Sequence, residues 1–248
     1  MWRISLLIGL MLGQRSLQMG ARLMVSQSRL LSPTDKQATL LGFDRTYRSG
    51  LTGFFSWGLS PYVATGLELG YYGAGQRFYG TGVNGQPYRA EVRLHYLRAG
   101  LALQPQYARE WWGFWGSISP SVAFLTQSEF EIQGDSLPVG NLFMPQVIQG
   151  TLAYLEQSTN PDDRLMLMKM YRRAVPVISV AGGLRVRLAE GVWVLGLIFY
   201  ERSLRDIEAK NYRISPQSPL IYHPQRRVVY YELSGFQVGL QYEVPLPE

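Results

Sequence analysis

Leu51-Thr52-Gly53-Phe54-Phe55-Ser56-Trp57-Gly58-Leu59 is followed, after Ser60-Pro61 and Tyr62, by Val63-Ala64-Thr65-Gly66-Leu67-Glu68-Leu69-Gly70-Tyr71. In both runs the odd positions are mostly bulky and apolar, and the even positions mostly small or polar. A period of two is that of a strand whose two faces meet different surroundings. The same alternation returns in Trp112–Phe124, in Ile178–Leu188 and in Phe236–Val244. Extended along the chain, the pattern predicts eight strands, at about 17–28, 48–59, 62–74, 88–104, 111–126, 174–188, 192–206 and 227–245. Each run holds the roughly 9–11 residues that a tilted strand needs to cross a bilayer.

The links between these strands alternate in length. Ser60-Pro61, Pro105 to Glu110 and Ala189-Glu190-Gly191 are short. The stretches at about 29–47, 75–87, 127–173 and 207–226 are long. An even strand number, with short turns at one end and long loops at the other, is the plan of an up-and-down membrane barrel. The expected fold is therefore all-β: an eight-stranded antiparallel up-and-down transmembrane β-barrel, with a helical insertion in the loop between strands 5 and 6.

Composition agrees. The chain of 248 residues is 46% hydrophobic, 13% aromatic and 17% charged, with a formal net charge of +6. It is too apolar and aromatic to be disordered. It has no cysteine, which excludes a disulfide framework, a thiolate nucleophile and a zinc finger. No stretch reaches 18 consecutive apolar residues, so any membrane crossing must use strands. Met1-Trp2-Arg3, the apolar run Ile4–Leu12 and Gly13 have the order of a secretory signal peptide. Residues 1–13 are read as that signal and 14–248 as the barrel domain.

Aromatic residues cluster at strand ends. Trp57, Tyr62, Trp111, Trp112, Trp193 and Tyr242 lie beside short turns or near the C-terminus. Tyr71, Tyr72, Tyr88, Phe124, Tyr171, Phe199, Tyr200, Tyr230 and Tyr231 lie towards the long loops. Two aromatic levels flanking an apolar band correspond to the girdles of a membrane barrel.

The polar face carries Glu68, Arg93, Arg98, Arg185, Arg187 and Glu243. Charges facing lipid are costly, so these residues are expected to point into the lumen and pair there. In the 88–104 strand the apolar residues are even up to Tyr96 and odd from Leu97. A β-bulge between Tyr96 and Leu97 would let both Arg93 and Arg98 face inward.

Pro145, and Asn160-Pro161-Asp162-Asp163 with Arg172 and Arg173 farther on, carry helix start and stop signals. They predict a helical hairpin at about 145–157 and 161–172 within the long 127–173 connection.

Three segments carry a family resemblance: Leu67-Glu68-Leu69-Gly70-Tyr71-Tyr72-Gly73, Tyr96-Leu97-Arg98-Ala99-Gly100-Leu101, and Gly196-Leu197-Ile198-Phe199-Tyr200 followed by Leu204-Arg205-Asp206-Ile207. They resemble the PorT-like outer-membrane β-barrel proteins of Bacteroidetes, over most of the chain outside the helical insertion. Gly100 stands where that family usually has proline. The resemblance implies an eight-stranded outer-membrane barrel and brings no catalytic residue with it. Some relatives serve secretion and gliding machinery, so an accessory role in a secretion or motility apparatus is implied as well.

Other chemistry is sparse. The two histidines, His95 and His223, with no cysteine do not suggest a transition-metal site, and no cofactor is expected. Ser117, Ser119 and Ser121 are read as sharing the interior with His95 and Glu68, an arrangement a lipid-modifying enzyme could use. The arginines form no basic face, so no nucleic-acid partner is expected. The sequence thus points to an exported, non-enzymatic barrel of the cell envelope. Its expected partners are outer-membrane lipid and other envelope proteins reached through the 127–173 loop. Two alternatives stay open: a lipid-modifying barrel enzyme, and a soluble periplasmic barrel that binds an apolar ligand.

Overall fold

The computed structural model describes residues 16–31, 42–81, 87–133, 171–207 and 229–246. These form β1 (Ser16–Leu31), β2 (Gly42–Asp44), β3 (Thr46–Ser60), β4 (Val63–Thr81), β5 (Pro87–Ala108), β6 (Trp112–Gln133), β7 (Ala174–Ala189), β8 (Val192–Ser203) and β9 (Tyr230–Pro245). Eight of them are long. Each pairs antiparallel with its sequence neighbour, and β1 pairs with β9, which closes the sheet into a barrel. The three-residue β2 pairs with β4 beyond the point where β3 leaves it. The expected signal segment 1–13 and the helical hairpin of 145–157 and 161–172 lie outside the described residues, apart from Tyr171 and Arg172.

The turns at one rim are tight. Ser60 and Val63 flank a two-residue turn, and Gly191, at φ 68°, closes the β7–β8 hairpin in a left-handed conformation that favours glycine. At the other rim the strands run farther than the periodicity predicts. β4 and β5 stay paired from Val63↔Pro105 to Thr81↔Pro87, and β6 continues to Gln133. At about 3.3 Å per residue and a tilt of about 40°, a 22-residue strand such as β5 rises roughly 55 Å along the axis. That is about twice the ~25 Å apolar band of a membrane barrel.

Side-chain alternation sorts the two faces. Leu23, Leu67, Leu69, Leu101, Ile198, Phe236 and Val238 point outward and are exposed. Gln18, Arg22, Glu68, Arg98, Ser119, Gln104 and Gln241 point inward and are buried. Nearer the long loops the polarity reverses. There Tyr72, Ala74, Val92, Leu94, Tyr96, Leu125, Val177, Phe199, Tyr231 and Leu233 form a buried apolar core. Each large side chain buried this way contributes about 1.5–3 kcal/mol.

This reversal corrects the expected bulge in β5. The strand keeps one phase throughout: Val92, Leu94, Tyr96, Arg98, Ala102 and Gln104 all face inward. The change from even to odd apolar residues marks a change of surroundings, not an inserted residue. The irregularity lies one step away, between His95 and Tyr96 in the pairing with β6. There His95 opposes Gln127 and Tyr96 opposes Leu125, so the extra residue is Thr126 of β6.

Candidate functional site

The interior of the barrel holds the densest polar chemistry. Arg22 of β1, Glu68 of β4, Arg98 of β5 and Glu201 of β8 sit at inward positions of four strands and are buried. Arg22 Nη2 lies 2.7 Å from Glu68 Oε1. Arg98 donates from Nη2 to Glu68 Oε2 at 3.0 Å and from Nη1 to Glu201 Oε2 at 2.6 Å. Ser117 Oγ donates to Glu68 Oε1 at 2.8 Å. Two guanidiniums and two carboxylates therefore balance, which makes their burial tolerable. A glycine makes room here: a Cβ on Gly239 would press on the Arg22 side chain. Arg22 is also held between aromatic faces, 5.1 Å from the Phe54 ring and 4.8 Å from that of Trp115.

The network continues upward into the apolar core. Tyr231 Oη donates to Glu201 Oε1 at 3.1 Å, and the hydroxyls of Tyr231 and Tyr72 are 2.7 Å apart. The Tyr96 ring stacks on that of Tyr231 at 5.3 Å.

At the short-turn mouth a second group surrounds a cavity of about 640 Å³. Buried Arg185 stacks on Trp193 at 4.5 Å. Its Nη1 donates to Gln106 Oε1 at 3.3 Å and lies 3.8 Å from Glu243 Oε2. Gln18 Nε2 bridges to Gln106 at 3.0 Å and to Glu243 at 3.3 Å.

A third group gathers on the outer side of β4 and β5, above the apolar belt. Glu91 accepts from Arg48 at 2.8 Å, from Arg93 at 3.0 Å and from Arg77 at 3.0 Å. Burial opposes the Glu91 charge, but these hydrogen bonds outweigh it and bring its carboxyl down to about 2. Farther round the barrel, Glu232 is paired with Arg29 at 2.6 Å and Arg202 at 3.7 Å, and Tyr200 Oη donates to it at 2.9 Å.

The six residues expected to share one lumen network are thus divided. Glu68 and Arg98 form its centre. Arg185 and Glu243 belong to the short-turn mouth. Arg93 faces outward, because β5 has no phase slip, and joins Glu91 at 3.0 Å and Glu129 at 3.9 Å. Arg187 is exposed and donates to the Ala189 carbonyl at 3.3 Å. Arg22 and Glu201, absent from the expected set, complete the centre. Arg22 carried a usable signal, since it alternates with Leu23 and Val25. Glu201 follows Ile198-Phe199-Tyr200, where no alternation is visible.

Of the expected girdle, Trp57, Tyr62, Trp111 and Tyr242 are exposed, and Trp112 is half-buried. Trp193 instead faces inward over Arg185, as the parity of β8 requires. Tyr72 and Tyr231 of the other aromatic level also face inward. His95 stacks on outward-facing Tyr71 at 6.0 Å, on the opposite face of the sheet from Ser117, Ser119 and Ser121. The expected sharing of one interior by His95 and these serines is therefore corrected. Among the described residues, no group of three His, Cys, Asp or Glu side chains is placed to hold a metal.

Fold and interior together define a closed eight-stranded antiparallel β-barrel with a polar lumen and an apolar outer belt. No protein-family profile matches the chain, and no curated protein matches it. Among solved structures, the outer membrane protein OprG from Pseudomonas aeruginosa is similar at 12% identity and a TM-score of 0.41, covering 94% of this chain and 96% of that one. Neisserial surface protein A is similar at 7% identity and a TM-score of 0.39, with 92% and 96% covered. The outer membrane protease OmpT from Escherichia coli is similar at 10% identity and a TM-score of 0.33, with 93% and 97% covered.

Proposed function

We propose that this chain is an integral outer-membrane β-barrel protein with a non-enzymatic, structural or interaction role in the cell envelope. The observation that carries this reading is the outward belt. Leu23, Leu67, Leu101, Phe114, Leu184, Ile198 and Phe236, from seven of the long strands, are each more than half exposed around a closed barrel whose central charges are inside. Such a continuous apolar surface is unfavourable in water and favourable in hydrocarbon. The belt also disfavours the soluble ligand-binding barrel, which needs its bulky residues inside. The separation of His95 from the interior serines disfavours the lipid-modifying enzyme.

The polar interior supports a structural role over transport. Eight strands leave a lumen that side chains fill, and here paired arginines and glutamates fill it beneath an apolar core. Accessory service to a secretion or motility apparatus rests on the resemblance to PorT-like proteins, which lies outside the 127–173 region.

The test is electrophoretic mobility of the membrane-extracted protein with and without boiling. A closed barrel runs anomalously until boiled. A protein found in the soluble fraction, with no mobility shift, would overturn the membrane reading.

A further inference from the structure

The arginines above the apolar belt are arranged differently from those inside. Arg29 of β1, Glu232 of β9 and Arg202 of β8 form one row across three adjacent strands, because Glu232 is the register partner of both arginines. With neighbouring strands about 4.8 Å apart, the backbones of the two arginines lie roughly 10 Å from each other. The Glu232 side chain is 9% exposed, whereas Arg29 and Arg202 are 46% and 44% exposed. The second cluster repeats this layering: Glu91 is 10% exposed beneath Arg77 at 44% and Arg93 at 38%. The carboxylates lie underneath and the guanidiniums outside. Asp44 and Glu129 are the more exposed acids of the same rim.

The short-turn rim differs. There Arg109, Arg185 and Arg187 are matched by Glu110, Glu190 and Glu243. Among the described residues every cation of both rims is arginine and none is lysine. Guanidinium presents a planar fork of donors that fits phosphate oxygens in pairs, which an ammonium does not. The first cluster sits two residues beyond outward Tyr200, and the second four to six register positions beyond outward Tyr71, both on the long-loop side of the level at which headgroups meet hydrocarbon.

We propose that the outward guanidiniums of Arg29 and Arg202, and of Arg77 and Arg93, bind the phosphate groups of anionic lipids, whose charge no headgroup cation neutralises, around the long-loop rim. The buried glutamates hold the arginines in place while leaving a net positive surface. This inference rests on the membrane reading above, and its test separates the two.

The full chain in mild detergent is mixed with phosphatidic acid, with phosphatidylcholine, or with phosphatidic acid plus an equal concentration of inorganic phosphate. Retained lipid is counted by native mass spectrometry. Boiling-dependent mobility is read on the same samples, so loss of the barrel is distinguished from loss of the surface. Phosphatidic acid should be retained at least about tenfold better than phosphatidylcholine, the ratio expected from one charge-assisted hydrogen bond. The combined variant Arg29→Gln, Glu232→Gln, Arg202→Gln removes the row without stranding its carboxylate, and should lower retention while preserving the mobility shift. Arg29→Lys with Arg202→Lys should retain part of the binding. Equal retention of the two lipids, or unchanged retention in the triple variant, would overturn the proposal. Displacement by equimolar inorganic phosphate would overturn it as a lipid site and leave a site for free anions.

Discussion

Arg98 and Glu201 are joined at 2.6 Å inside the barrel, from strands β5 and β8 that are not neighbours in the sheet. The pair spans the lumen, and through Glu68 it also ties β4 and β1 to the same point. Removing one member leaves an uncompensated buried charge. Arg98→Met should therefore destabilise the barrel by about 3–5 kcal/mol. Replacing Arg98, Glu68, Glu201 and Arg22 together with apolar residues of similar volume should cost less than that single change. Urea unfolding in lipid vesicles measures both, and equal stability of Arg98→Met and the parent would contradict the network.

The outer belt makes a depth-dependent prediction. Leu67→Arg and Val180→Arg place a charge among exposed apolar neighbours on the outer face, the proposed lipid side. Each should cost about 2–4 kcal/mol at the midplane, falling to about 0–1 near the interface. Tyr47→Arg, farther along β3 towards the long loops, should fall in the lower range. The same unfolding titration orders the three variants.

Glu91 predicts an acid limb. Its carboxyl is held at about 2, against an ordinary value of 4.5. A depressed carboxylate contributes stability that is fully present above its unfolded pKa and is lost as pH falls through the folded one. Rim stability should therefore decline between about pH 4.5 and 2. Because Arg77 and Arg93 are partly exposed and screened, the loss should be on the order of 2 kcal/mol. Glu91→Gln should lower stability at pH 7 and flatten that limb. Hydrogen exchange of β4 and β5 amides as a function of pH reports it.

Tyr231→Phe removes the hydroxyl that links the apolar core to Glu201 and leaves the Tyr72 hydroxyl without that partner. A cost of about 1–3 kcal/mol is expected. Tyr96→Phe removes a hydroxyl that has no hydrogen-bond partner among the described residues, so it should cost less. Because both variants keep the ring, comparing the two unfolding midpoints isolates what each hydroxyl contributes.

Much of this architecture was legible in the sequence. Strand number, hairpin order and the short links follow from period-two runs that the structure reproduces, whereas the long link expected at 75–87 is mostly paired strand, because β4 and β5 stay together to Thr81 and Pro87. Leu67 and Glu68 face out and in as their parity requires. The pattern misleads where the surroundings change along one strand. On β5, apolar residues mark the outer face from Leu97 onward and the inner face up to Tyr96, so a single rule for apolar side chains implied a bulge within β5 that is absent. Trp193 departs from the expected girdle for a related reason: position near a turn says nothing about which face a ring occupies, whereas its parity with Leu195 and Leu197 does. The pairing of Arg98 with Glu201 could not be read at all, because it crosses the lumen between strands distant in sequence.

The switch on β5 has a mechanical consequence. Outward residues run from Leu97 to Tyr107 as the apolar stretch, and His95 and Arg93 follow at once. Ten steps of about 3.3 Å at a tilt of about 40° give close to 25 Å. Sliding the barrel along the membrane normal by one residue pair would draw His95 into hydrocarbon or push Tyr107 out of it. In the membrane setting proposed above, the strand acts as a depth gauge, fixing the vertical position of the barrel and matching it to one bilayer thickness. A thicker bilayer would have to thin around the protein, because the paired interior prevents the strands from changing their tilt independently.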